Sequence, residues 1–251
     1  MTPAPTLHGI DGCPAGWLIL TQHPDARISA CIHSSLDEFA PRLGPDHIVA
    51  IDMPIGLPCP DHYPRACDTG ARQALGSRAC CVFSAPCRGT LDHIDNYTAA
   101  SAWHKDATGK AISHQAFNIL PKIHELDTYL GRHPATAAFY EVHPEISFAH
   151  MNGSDEHIAP LLNKKSFPTG EHERAALIAA NLSCPAELST LQQQLGPRSK
   201  DGKTRWALND LHDALAALWT AQRISTGTAT TYPPNHPTSK DKTGKSMRIM
   251  A

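Results

Sequence analysis

LHGIDGCPAGWLILT, residues 7–21, decides the fold. Two short apolar runs, LHGIDG over 7–12 and GWLILT over 16–21, flank Cys13, Pro14 and Ala15. Runs of this length around a proline-containing turn predict a β-hairpin. Side chains alternate along a strand, so Leu7, Gly9 and Asp11 share one face of the first run. An acid that continues an apolar face is costly to desolvate unless it is paired or binds a cation. Asp11 therefore needs a partner from elsewhere in the chain.

The same signature recurs downstream. HIVAIDMPIGLP predicts a strand over 47–53 whose apolar run ends in Asp52, on the face of Ile48 and Ala50, and Pro54, Gly56 and Pro58 stop it. ATAAFYEVHPE predicts a strand over 135–142 with Glu141 on the face of Ala137 and Phe139, stopped by His143 and Pro144. ISACIH, 28–33, reads as a further strand, and Ser34 or Ser35 caps a short helix, SLDEFAPRL, that breaks around Pro41. Residues 171–181 are helical, and 207–224 give the clearest helix, with Leu211, Leu215, Leu218 and Gln222 at 3.6-residue spacing. Asp210 and Asp213 share a side of that helix. Ala216, Ala217 and Thr220 follow Asp213 along its stripe and would let the helix approach a sheet closely.

The order β-β-β-α-β-(insertion)-β-α predicts an α/β fold. It is a mixed five-stranded sheet, strands one, four and five parallel, with helices on both faces and a mostly helical insertion over 59–131 between strands four and five. A single domain is expected over 1–225, followed by a polar tail, 226–251, loose at least in part around Pro233, Pro234 and Pro237.

Open α/β sheets place their sites at the carboxyl ends of the strands. Asp11, Asp52 and Glu141 fall near such ends, and Asp213 is carried toward them by its helix. Clustered carboxylates repel one another and partly protonate without a counterion. Mg²⁺ or Mn²⁺ resolves that conflict, because hard cations prefer oxygen ligands. Two such ions about 3.5–4 Å apart activate a water and stabilise the leaving oxygen in phosphodiester cleavage. Each acid alone is explained as a turn former or helix cap, whereas the four together point to a catalytic and metal-binding site. Glu145, in the same His-Pro-Glu turn, competes with Glu141, and Asp210 competes with Asp213. His143 is a candidate proton shuttle, set against a capping or packing role.

GIDGCPAGW, IDMPIGLP, RACDTGAR, YEVHPEISF and DLHDALAALWTA resemble the motifs of domain-of-unknown-function family 429, over roughly residues 7–224. The resemblance implies a ribonuclease H-like fold and a predicted nuclease, with Asp11, Asp52, Glu141 and Asp213 as its metal-binding acids. It implies no demonstrated substrate.

Lys+Arg 22 against Asp+Glu 24 gives a net charge of -2, so a nuclease would need a local basic face. Arg65, Arg72, Arg78 and Arg88, with Lys164 and Lys165 in LLNKKSFPTG, are the candidates to hold substrate phosphates, while Asp68 is expected to pair with an arginine. The expected partner is a nucleic acid or nucleotide. No apolar run approaches the roughly 18 residues of a membrane span, and MTPAPTLHGI carries no export signal, so reduced thiols and a cytoplasmic location are expected. Cys59, Cys67, Cys80, Cys81 and Cys87, with His62, lack a clean CxxC pair and read as buried free thiols rather than zinc ligands. The sequence contains no GxSxG elbow, no Cys–His pair in a recognisable context, no phosphate-loop motif and no GxGxxG. Two other classes compete. One is a nucleotide-binding phosphotransferase or hydrolase on a related sheet, in the manner of sugar kinases and actin, although the chain offers only one such half. The other is a non-catalytic scaffold with a degenerate nuclease core, favoured by the absence of a basic excess.

Overall fold

The opening hairpin forms as expected in the computed structural model, which describes residues 4–133, 137–154, 156–182, 187–234 and 238–251. β1 (Thr6–Cys13) and β2 (Gly16–Gln22) pair antiparallel, from Leu7 opposite Gln22 to Cys13 opposite Gly16, which leaves Pro14 and Ala15 as the turn. β3 (Ile28–His33) continues the antiparallel meander. β4 (His47–Ile51) joins the other edge of β1 in parallel, and β5 (Ala138–Glu141) joins β4 in parallel. The strand order is β3-β2-β1-β4-β5, a mixed five-stranded α/β sheet.

In chain order the helices are α1 (Leu36–Phe39), α2 (Ala66–Leu75), α3 (Tyr97–Thr108), α4 (His114–Asn118), α5 (Leu120–Arg132), α6 (Pro144–Asn152), α7 (Pro168–Asn181), α8 (Leu188–Leu195) and α9 (Leu208–Thr226). The chain divides into two compact units: Met1–Asp52 with Pro134–Thr230 and Met250–Ala251, and Met53–His133 with Thr231–Ile249.

The first unit is built on the sheet and α9. Every residue of α9 from Leu211 to Gln222 is buried, the pattern of a helix enclosed on all sides. Burying each of Leu211, Leu215 and Leu218 contributes on the order of 2 kcal/mol. Gly9 of β1 sets how near the helix comes. A Cβ there would lie 2.2 Å from the Ala214 carbonyl oxygen and 2.4 Å from the Leu218 nitrogen, so only glycine permits this approach. The small residues of α9 and Gly9 thus work as a pair. On the opposite face His8 meets Phe39 of α1, ring centroids 5.2 Å apart. Ser35 caps α1 by accepting from the Glu38 N–H. Leu191 and Leu195 of α8 join the core with Ile28 and Ala30 of β3, whose Ala30 N–H donates to Gln194 Oε1 at 2.7 Å.

Several boundaries differ from the sequence expectation. β4 stops at Ile51, one residue before Asp52, and Asp11 lies within β1 rather than at its end. β5 begins at Ala138, and expected strand residues 135–136 lie outside the described residues. Pro144 does end β5, but it also opens α6, because proline suits the first helical position, where no backbone N–H is needed.

In the second unit, residues 239–247 of the expected tail have specific partners, and Pro237 lies outside the described residues. Asp241 accepts from the backbone N–H of Leu57 at 3.1 Å and forms an ion pair with Arg88. Its other oxygen accepts from Thr243 and Lys245 and closes the turn between Ser239–Lys240 and Ser246–Met247, which pair antiparallel. Arg88 and Lys245 also both bind Asp127 of α5. The polar residues that read as a solvated tail are the partners of buried charges. The terminal Ala251, in the first unit, exchanges backbone hydrogen bonds with Thr230. Among the described residues no helix is long and apolar enough to cross a membrane.

Candidate active site

The sheet register determines which acids meet. Ile10 lies opposite Ile51, and the Asp52 N–H donates to the Ile10 carbonyl at 2.9 Å, so the next position along sets Asp11 beside Asp52. Both continue the face of Gly9 and Ala50, the face that α9 covers. Asp213 enters from α9 one residue before Ala214, whose carbonyl is the atom closest to Gly9. The close helix approach and the strand register together collect Asp11, Asp52 and Asp213.

Glu141 is where the structure departs from the expected set of four. It lies opposite Ile51, not opposite Asp52. By strand alternation it points to the other face of the sheet from Asp11 and Asp52. Glu141 is buried at the end of β5 and adds to the rise of Asp52 after burial and Asp213. The alternation read from its own strand was right, but the register inverts its face relative to the other acids.

The three gathered carboxylates are in mutual conflict. Burial raises the Asp11 carboxyl well above its ordinary value, and Asp52, Asp213 and Asp210 push it further, against the opposing Lys165. Burial and Asp213 raise Asp52 to about 8, again opposed by Lys165, with Glu141 and Glu145 adding to the rise. Asp11 Oδ1 accepts from the Gly12 N–H at 2.7 Å. Asp213 is divided: Lys165 Nζ sits 2.7 Å from Oδ2, while Oδ1 is buried without a hydrogen-bond partner. Burial alone would lower Lys165, but Asp213, with Asp52 and Asp11 behind it, raises it overall. Lys165 was expected to hold substrate phosphate. Here it is the cation of the carboxylate cluster, a role that neither spacing nor periodicity in the sequence indicates.

The competing residues have other work. Asp210 Oδ2 accepts from the Ala207 N–H at 2.8 Å and caps α9. Glu145 is paired with the buried Arg174, which also donates to the Gly170 carbonyl at 3.1 Å. His143 is the N-cap residue of α6, its carbonyl accepting from Ile146 and Ser147. Burial lowers the proton affinity of His212, next to Asp213.

The expected phosphate-binding arginines also have internal partners. Arg65 is buried, binds Asp68 at 2.5 Å and donates to the carbonyls of Ile55 and Gly56 at 3.1 Å. The arginine–Asp68 pairing is as expected, and it removes Arg65 from the phosphate-binding set. Arg72 donates to the Val82 carbonyl, and Arg88 is held by Asp127 and Asp241. Lys164 lies exposed in a loop flanked by Leu162 and Phe167, which are 86% and 56% exposed. The cysteines are not uniformly buried either: Cys67 and Cys87 are, Cys80 is exposed, and Cys59 and Cys81 lie between.

Whether the cluster suits a divalent cation can be judged from its donors. It offers only carboxylate oxygens, one of them buried and unpartnered, which is the chemistry Mg²⁺ or Mn²⁺ requires. As the side chains stand, no three His, Cys, Asp or Glu among the described residues are grouped to hold an ion. Lys165 takes the place of that charge.

This chain belongs to the DUF429 family, described as a protein of unknown function, whose profile matches residues 9–238. No curated protein and no solved structure matches it.

Proposed function

We propose that the protein is a divalent-metal-dependent phosphodiester hydrolase, a nuclease with a ribonuclease H-like core, acting from Asp11, Asp52 and Asp213. The observation that carries this reading is the gathering of three carboxylates on one sheet face, two of them raised far above ordinary values by burial and mutual repulsion. Three clustered carboxylates answered by a single lysine destabilise a fold, and such clusters are typical of sites that bind a cation or move protons. The mixed sheet with a parallel β1–β4–β5 edge, and acids at its carboxyl end, supports the ribonuclease H-like assignment.

A bound Mg²⁺ or Mn²⁺ would lower the proton affinity of a coordinated water and polarise the phosphodiester. Asp11 and Asp52 would hold it from the strands, and Asp213 would complete the set from α9 once Lys165 leaves it. Released from Asp213, the Lys165 ammonium is free to neutralise a substrate phosphate, the role expected of it from sequence. Lys164 adds a second charge on the same loop, and exposed Phe167 offers a ring face on which a base can stack. Glu141 joins only if its end of β5 turns toward Asp52.

The Lys165–Asp213 contact also favours a second reading, a binding protein whose acidic site is closed permanently by its own lysine. Calorimetric titration of Mn²⁺ and Mg²⁺ into the protein and its Asp11→Asn/Asp213→Asn variant separates the two. Hydrolysis expects binding in the parent, loss in the variant, and metal-dependent cleavage of labelled DNA or RNA that the same substitutions abolish. Absence of metal binding in the parent would exclude the hydrolase and leave the closed site.

A further inference from the structure

Cys59 and His62 form a contact that the mechanism above does not use. A 3-10 turn over Pro60–His62 folds the chain back on itself, with the His62 N–H donating to the Cys59 carbonyl at 3.0 Å. This return brings His62 Nδ1 to 2.9 Å from Cys59 Sγ. Cys59 is partly accessible and His62 is exposed. An imidazole nitrogen at that distance can take the thiol proton, and the thiolate is the reactive form of cysteine.

A second thiol lies alongside. The Arg88 N–H donates to the Pro58 carbonyl at 3.0 Å, so the chain at Cys87 runs next to the chain at Cys59, each one residue from the bonded pair. A disulfide needs Cα atoms about 4.4–6.8 Å apart, and the electrostatic influence of Cys59 on Cys87 marks the two thiols as neighbours. Cys87 is fully buried, and burial, with Cys59 adding to it, pushes its thiol up to about 12. The two sulfurs therefore differ in character: one is reachable and has a base, and the other is enclosed and protonated. Cys67, buried beside Asp68, has an acid as its neighbour instead.

We propose that Cys59 and Cys87 are a peroxide-oxidisable dithiol in which Cys59 is the attacked thiol, His62 its base and Cys87 the resolving thiol. Nδ1 takes the Cys59 proton, and the thiolate sulfur attacks the O–O bond of a hydroperoxide. An S–O bond forms, the O–O bond breaks, and the departing oxygen takes the proton back from the imidazolium, leaving as water or an alcohol. Cys87 sulfur then displaces the sulfenic oxygen. The S–S bond forms, the S–O bond breaks, and the Cys87 proton leaves with the hydroxide as water. Overall the two thiols lose two electrons and two protons to one hydroperoxide, yielding a disulfide, one water and one water or alcohol. None of the site acids takes part, so the dithiol stands apart from the phosphodiesterase reading.

The test is peptide mapping of the full, pre-reduced chain after hydrogen peroxide treatment, under non-reducing conditions. The expected product is a Cys59–Cys87 cross-linked peptide that a dithiol reductant reverses. Cys87→Ser should instead accumulate a sulfenic acid at Cys59, trapped by dimedone. His62→Ala, a change at an exposed side chain, should slow Cys59 oxidation by about tenfold with an unchanged circular dichroism spectrum. Cys59 passing to sulfinic acid with Cys87 still reduced would overturn the proposal. So would first oxidation at Cys80 or Cys81, or a His62→Ala rate equal to the parent's.

Discussion

Asp52→Asn should make the metal-free protein more stable while removing the hydrolase activity proposed above. Burial and Asp213 raise Asp52 from 3.8 to about 8, so near neutrality the folded carboxyl keeps its proton and the unfolded one gives it up. A group whose proton affinity is raised on folding contributes stability that is complete below its unfolded value. That contribution is lost as pH rises through the folded value. For Asp52 the loss runs from pH 3.8 to about 8. Each tenfold change in proton affinity is worth roughly 1.4 kcal/mol, which bounds the loss at about 4 kcal/mol by pH 7. Water entry and side-chain relaxation in a half-buried site bring the expected value to about 1–3 kcal/mol. Asparagine ionises in neither state and escapes the loss. With about 2–4 °C of midpoint per kcal/mol for a chain of this size, the variant should melt about 3–10 °C higher at pH 8 and nearly level with the parent at pH 4. Thermal unfolding followed by circular dichroism in EDTA, at unit steps from pH 4 to 8, measures this directly. Added Mn²⁺ should raise the midpoint of the parent and leave the variant unmoved. A variant less stable at pH 8, or a shift equal at every pH, would refute the account of Asp52 as a strained carboxylate.

Three further substitutions test the packing and charge assignments. Gly9→Ala places a Cβ against the Ala214 carbonyl and should cost about 1–3 kcal/mol in urea unfolding, with weaker Mn²⁺ binding because Asp213 moves with α9; unchanged stability would mean that α9 is not seated on Gly9. Arg65→Ala leaves Asp68 buried without its ion-pair partner and should cost about 3–5 kcal/mol, whereas Lys164→Ala should stay within about 0.5 kcal/mol and weaken the nucleic-acid binding proposed above; the reverse pattern would restore Arg65 as a phosphate ligand.

The hairpin over 7–21, the parallel placement of β4 and β5 and the long helix of 208–226 were legible in the sequence. The hairpin and helix are local matters of period two, period 3.6 and a proline turn, which short-range chemistry writes into consecutive residues, while the parallel placement follows from the order of elements and their crossover connections. The family was legible for the same reason, since its motifs are strand-end and helix segments that stand intact in the chain. Glu141 shows where local reading stops. Its own strand says which neighbours share its face, but only pairing with Ile51 says which face that is, and a step of one residue reverses the answer. Lys165 shows the same for charge: 48 residues separate it from Asp213, and no spacing in the sequence carries that contact. Arg88 meets Asp241 across 153 residues, which turned an apparently loose tail into a partner for buried charge. Sequence by itself determined the five main strands, the long helix and the acids they carry. Tertiary structure decided which acids meet and which cation answers them, because register, helix approach and ion pairing are set by residues far apart in the chain.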